Sequence, residues 1–170
     1  QFLRDARILT IYEGTTAIQA NDLVGRKTLR DGGETARAIA GEIEACQGLL
    51  RKQGGAAALA VSGRLDAARL AFLDAVSFVV ANARKDPNAV FAGAVPYLAL
   101  TGQLVVGWQM ARALLAAERS LAEGDEVEFM RAKIVTARFY ADHVLSHARA
   151  LRDAVIEGAS SVTDMPVEAF

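Results

Sequence analysis

The sequence predicts an all-α fold, on three observations. Roughly a fifth of the 170 residues are Ala, the strongest helix former, and only 3 Pro interrupt the chain. Apolar residues recur at spacings of three and four over long stretches, the period that gives a helix one apolar stripe. Gly-Gly, Asp-Pro and Gly-Asp steps punctuate those stretches at wide intervals. Together they predict an up-down four-helix bundle over residues 31–170, preceded by a helix-turn-helix over residues 1–30.

Residues 1–11 mix apolar and charged side chains in a helical pattern, which Glu13-Gly14-Thr15-Thr16 interrupts. Residues 17–28 resume it with Ile18, Leu23 and Val24, and Thr15 or Thr16 is the expected N-cap. Asp31-Gly32-Gly33 is the clearest break, because each glycine costs about 1 kcal/mol inside a helix. The boundary between the two parts is placed there.

The bundle helices are expected at residues 35–52, 56–84, 89–122 and 126–157. Ile39, Ile43, Cys46 and Leu50 share a stripe on the first, and Leu65, Ala68, Phe72, Val76, Val79 and Ala83 on the second. The last has the most regular seam, through Val127, Met130, Ile134, Ala137, Ala141, Val144, Ala148, Leu151 and Val155. Ala-rich stripes allow close helix approach, with Phe72, Phe78 and Phe139 expected to supply volume.

Residues 89–111 carry no charge and are long enough to cross about 30 Å of hydrocarbon. Pro96, Thr101, Gln103, Gln109 and three glycines within them favour the central buried helix of a bundle instead, with Pro96 kinking or restarting it, and membrane contact is not expected. A net charge of -1 with interspersed signs supplies no field to gather phosphates, which excludes nucleic acid as an expected partner. His143 and His147 lie one turn apart on one face, but no third ligand follows in phase, so no metal site is expected. Cys46 reads as a small buried thiol, and a single cysteine suits a reducing cytoplasm.

The informative stretch is the opening one: Arg4-Asp5-Ala6-Arg7-Ile8, then Ile11-Tyr12-Glu13-Gly14-Thr15-Thr16-Ala17-Ile18-Gln19. It closely resembles the acyl-CoA dehydrogenase family, near the end of the catalytic helical domain. Asn21-Asp22-Leu23-Val24-Gly25-Arg26-Lys27 and the ending from Gly158 to Phe170 are similar to members that carry an additional C-terminal helical domain. The resemblance implies that Glu13 is the base that removes the α-proton of an acyl-CoA thioester while a β-hydride passes to FAD. It also implies that Tyr12 and Gly14 border substrate, and that Thr15, Thr16 and Ala17 touch the cofactor. An acyl-CoA substrate, an electron acceptor and homo-oligomers are implied for the intact enzyme. Arg4, Asp5 and Arg7 are expected to be structural ion-pair residues. Because the chain begins at Gln1, inside a helical pattern, it is expected to be the C-terminal piece of such an enzyme, inactive and without FAD by itself. The alternative expectation is a non-catalytic helical interaction or oligomerisation module.

Overall fold

The computed structural model describes residues 1–10, 14–53 and 55–169. Among them every regular element is helical and no strand is present. The opening segment forms α1 (Phe2–Ala6), a 3-10 turn (Arg7–Thr10), α2 (Thr16–Asp22) and one widened π-helical turn (Leu23–Thr28). The body consists of α3 (Glu34–Gln53), α4 (Ala56–Asn82), α5 (Pro87–Ala92), α6 (Ala94–Glu123) and α7 (Val127–His143). A 3-10 turn (Leu145–His147), α8 (Ala148–Glu157), α9 (Ala159–Thr163) and a last 3-10 turn (Val167–Ala169) complete it.

Side chains at the predicted breaks set the helix ends. Asp31 accepts from the Gly33 and Thr35 amides, both at 2.9 Å, and so organises the start of α3. Gly33 there adopts φ 83°, a left-handed conformation that a side chain would strain. Asp86 accepts from the Ala89 amide at 3.0 Å with Pro87 in the first turn of α5. Gly124, at φ 83°, closes α6, and the Asp125 amide reaches back to the Ser120 carbonyl at 3.0 Å.

Long helices that follow one another are packed with opposite direction. Arg51 near the end of α3 meets Asp66 of α4 at 3.4 Å, and Glu44 at the middle of α3 meets Arg69 further along α4 at 3.5 Å. Phe72 of α4 stacks on Tyr97 of α6 with ring centroids 6.0 Å apart. Tyr140 of α7 donates to the Gln103 carbonyl of α6 at 3.1 Å. By contrast α4 runs parallel to α7 and α8: Arg64 lies 3.7 Å from Asp142, and Arg152 lies 3.2 Å from Asp74 at the same sequence offset. The shared core contains Ile43, Leu50, Leu65, Val76, Val79, Leu100, Leu104 and Leu114, with Ala20 and Val24 from the opening segment.

The predicted stripes are the buried ones, but several helices are shorter than predicted. The stretch expected at 89–122 is split at Gly93 into α5 and α6, and α6 restarts two residues before Pro96. A Cβ at Gly93 would lie 2.9 Å from the Val155 carbonyl, so the split lets α8 approach closely. The stretch expected at 126–157 breaks after His143, although Val144, Ala148, Leu151 and Val155 still face inward. The helix expected at 17–28 widens after Asp22, where the Leu29 amide bonds the Val24 carbonyl at 2.9 Å. Phe139 supplies no core volume and is exposed, because it lies about 200° around the helix from Ala137 and Ala141.

Candidate functional site

Of the candidate residues in the opening segment, Gly14, Thr15, Thr16 and Ala17 are described, and all four are exposed. Thr15 holds extended φ/ψ of −63° and 157°, and its hydroxyl accepts from the Ile18 amide at 3.3 Å, capping α2. Thr16 and Ala17 occupy the first turn of that helix and are exposed. The first amides of a helix lack an intrahelical carbonyl, so they are available to an acceptor from outside. Gly14 is exposed, with Gln19 arching over it: a Cβ there would lie 2.5 Å from the Gln19 Nε2, the tip of a flexible side chain. Glu13 and Tyr12 lie outside the described residues.

Arg4 donates to the Gln1 side chain at 2.9 Å, and Gln1 in turn donates to Asp5 at 2.7 Å, so Arg4 and Asp5 are linked through an amide. Behind α2 the segment is anchored. Ala20 and Val24 are buried, and the Thr28 hydroxyl meets the Tyr97 phenol at 2.9 Å in the interior. This pairing joins residues far apart in sequence, and no local pattern announces it.

Beside α1, a groove of about 910 Å³ opens between α3 and α6. Ala45, Cys46 and Leu49 line one wall, Trp108 and Ala113 the other, and Phe2 reaches its rim. Arg112 lies over the Trp108 ring at 5.7 Å and donates to Gln109 at 3.0 Å. Burial pushes the Cys46 thiol up from its ordinary range, with the Arg112 charge opposing. Neither His143 nor His147 is buried, His143 packs its ring on Phe139 at 4.5 Å, and no cluster of three metal-ligating side chains occurs among the described residues.

A buried arginine and a half-buried glutamate lacked a sequence signal. Arg69 is buried, held by Asp66 at 2.9 Å and Glu44 at 3.5 Å, within a helix whose other inward residues are mostly small or apolar. Glu118 lies against Gly55, the residue preceding α4, and burial raises its carboxyl above the usual range. Among the described residues no helix is long and apolar enough to cross a membrane.

Residues 34–166 match the family described as acetyl-CoA dehydrogenase C-terminal like. The chain is 52% identical over 162 residues to a 3-methylmercaptopropionyl-CoA dehydrogenase of Ruegeria pomeroyi, a match covering 95% of this chain and 27% of that protein. It is 32% identical to a broad-specificity linear acyl-CoA dehydrogenase of Mycobacterium tuberculosis, across 100% of this chain and 29% of the relative. A butyryl-CoA dehydrogenase of Syntrophomonas wolfei is 30% identical, again across 100% of this chain and 28% of the relative. The chain therefore spans less than a third of the length of these relatives.

Proposed function

The chain belongs to the acetyl-CoA dehydrogenase C-terminal-like family, and from that premise we propose that it is the C-terminal part of an acyl-CoA dehydrogenase that desaturates a thioester between Cα and Cβ. The observation that carries this reading is the run from Tyr12 to Thr16, set within a match to acyl-CoA dehydrogenases over nearly the whole chain. In this reading residues 1–30 end the catalytic helical domain and residues 31–170 form the additional one.

Glu13 is assigned as the base. A thioester α-proton is weakly acidic, so a carboxylate must work away from water, where desolvation raises its pKa and sharpens its basicity. The proton passes from the substrate Cα to the Glu13 carboxylate. Tyr12 and Gly14 border the acyl chain, and the absent side chain at Gly14 leaves room for the thioester beside the base. FAD, when bound in the intact enzyme, supplies the acceptor for the β-hydride. Thr15, Thr16 and Ala17 fit a contact with it, because α2 offers exposed first-turn amides to an anionic group. Most of a flavin site must come from outside this chain, so the isolated 170 residues hold no FAD and have no activity. The intact enzyme acts in the cytoplasm, on an acyl-CoA and with a separate electron acceptor.

Reading the coding DNA upstream of the Gln1 codon and purifying its full product tests the proposal. A continuous frame of several hundred codons, yielding a yellow protein bleached by acyl-CoA, is expected. A start codon directly before Gln1 would overturn it. The second reading, a helical module whose task is association, is favoured by the exposed aromatic side chains on α7.

A further inference from the structure

Three buried residues of the opening segment, Ala20, Val24 and Thr28, follow one another at intervals of four. In an uninterrupted α-helix the third would stand about 80° round from the first. The π-helical turn over Leu23–Thr28, with the Leu29 amide on the Val24 carbonyl five residues back, takes up that drift and keeps the Thr28 hydroxyl on the buried line. The helical body receives it with the Tyr97 phenol at 2.9 Å, whose ring is itself held by its stack on Phe72. The Thr28 carbonyl accepts from the Gly33 amide at 2.8 Å, so the same residue ties the segment to the turn before α3. Ala20 and Val24 supply apolar contact, which is non-directional: it resists separation of α2 from α6 but not a small roll against it. The directional bond from Thr28 to Tyr97 fixes that roll.

We propose that Tyr97 is a positioning residue for desaturation: from within the additional helical domain, its hydrogen bond to Thr28 sets the roll of α2 and thereby the placement of the Glu13-Gly14-Thr15 run that leads into it. The proposal rests on the assignment of Glu13 as the base. A hydrogen-bonded helix carries a roll along its whole length, from Thr28 back to the Thr15 cap. Placement matters steeply in proton abstraction, since a misplacement of about 1 Å costs on the order of a hundredfold in rate. The additional domain thus takes part in the reaction through geometry, with its contact to the catalytic segment made in the interior at a single polar pair.

Stopped-flow reduction of the flavin by acyl-CoA in the intact enzyme, paired with amide hydrogen exchange, is the test. Tyr97→Phe keeps the ring and its stack and removes only the hydroxyl. Its limiting rate of flavin reduction is expected to fall about tenfold while the half-saturating acyl-CoA concentration stays within about twofold, the split that follows when transition-state geometry alone is lost. Thr28→Val is expected to give the same split, the double variant no further fall, and Thr28→Ser, which keeps the hydroxyl, the parental rate. Exchange is expected to quicken over residues 16–22 and not over α7. Leu114→Val, a buried change in the C-terminal half of α6 and well away from Tyr97, is expected to leave the rate unchanged. A Tyr97→Phe enzyme that reduces at the parental rate overturns the proposal, as does one whose fall is matched by Leu114→Val or comes without faster exchange in α2. With Glu13→Gln inactive in the same assay, such a result leaves the base assignment standing; a Glu13→Gln enzyme reduced at the parental rate overturns that assignment and the proposal with it.

Discussion

The Thr28 hydroxyl and the Tyr97 phenol meet at 2.9 Å across 69 residues of chain, both almost wholly buried. Tyr97 also stacks on Phe72, so one side chain joins the opening segment, α6 and α4. The segment that carries the candidate catalytic residues is thereby fixed to the helical body at its C-terminal end.

Tyr97→Phe keeps the ring and its stacking but strands the Thr28 hydroxyl in the interior. A cost of about 1–2 kcal/mol is expected for losing one partner of a buried hydrogen bond. Thr28→Val is expected to cost a similar amount, and the double variant less than the sum of the two, because neither orphan then remains. Urea unfolding followed by circular dichroism measures all three.

Two glycines of the α3 region are expected to respond with opposite sign. At Gly33, φ is 83° and a Cβ would lie 2.9 Å from Val76 Cγ1, so Gly33→Ala is destabilising by roughly 1–3 kcal/mol. At Gly41, inside α3, nothing lies within 4 Å of a Cβ, and Gly41→Ala is stabilising by about 0.5–1 kcal/mol. Thermal unfolding midpoints of the two variants separate the predictions.

Acid weakens the fold through two carboxylates. Hydrogen bonds from Thr35 hold Asp31 below its ordinary 3.8, and a hydrogen bond from Arg138 does the same for Asp142. A depressed folded pKa gives stability that is present above the unfolded value and lost as pH falls through the folded one. Stability is therefore expected to decline below about pH 4 as these caps and pairs protonate, and Asp31→Asn to flatten that decline. Glu118 has the opposite sign: its raised carboxyl contributes stability below its ordinary 4.5 that is lost as pH rises through its folded value. Unfolding midpoints across an acid titration, for the parent chain and both Asp31→Asn and Glu118→Gln, resolve the two contributions.

Much of this fold is legible in sequence because burial follows helical period. Ile43, Cys46 and Leu50, and later Ala137, Ala141, Ala148 and Val155, lie inside where their spacing puts them. The break after His143 is not legible, since no Gly or Pro marks it and a single tight turn leaves the three-four seam in phase. Phe139 misleads because size suggests burial while its position relative to Ala137 and Ala141 forbids it. In the opening segment, Thr15 as the cap of α2 is readable from residue type, whereas the Thr28 and Tyr97 pairing depends on tertiary packing. Chemistry at Glu13 comes from resemblance alone, because an isolated Tyr-Glu-Gly-Thr has no distinctive period or spacing.

The most direct measurement of the central claim is anaerobic titration of the intact protein with acyl-CoA, comparing the parent with Glu13→Gln. Removal of the base is expected to abolish flavin bleaching while the visible flavin spectrum, and so bound FAD, persists. Bleaching at the parental rate in Glu13→Gln would contradict the assignment and move the base to another residue.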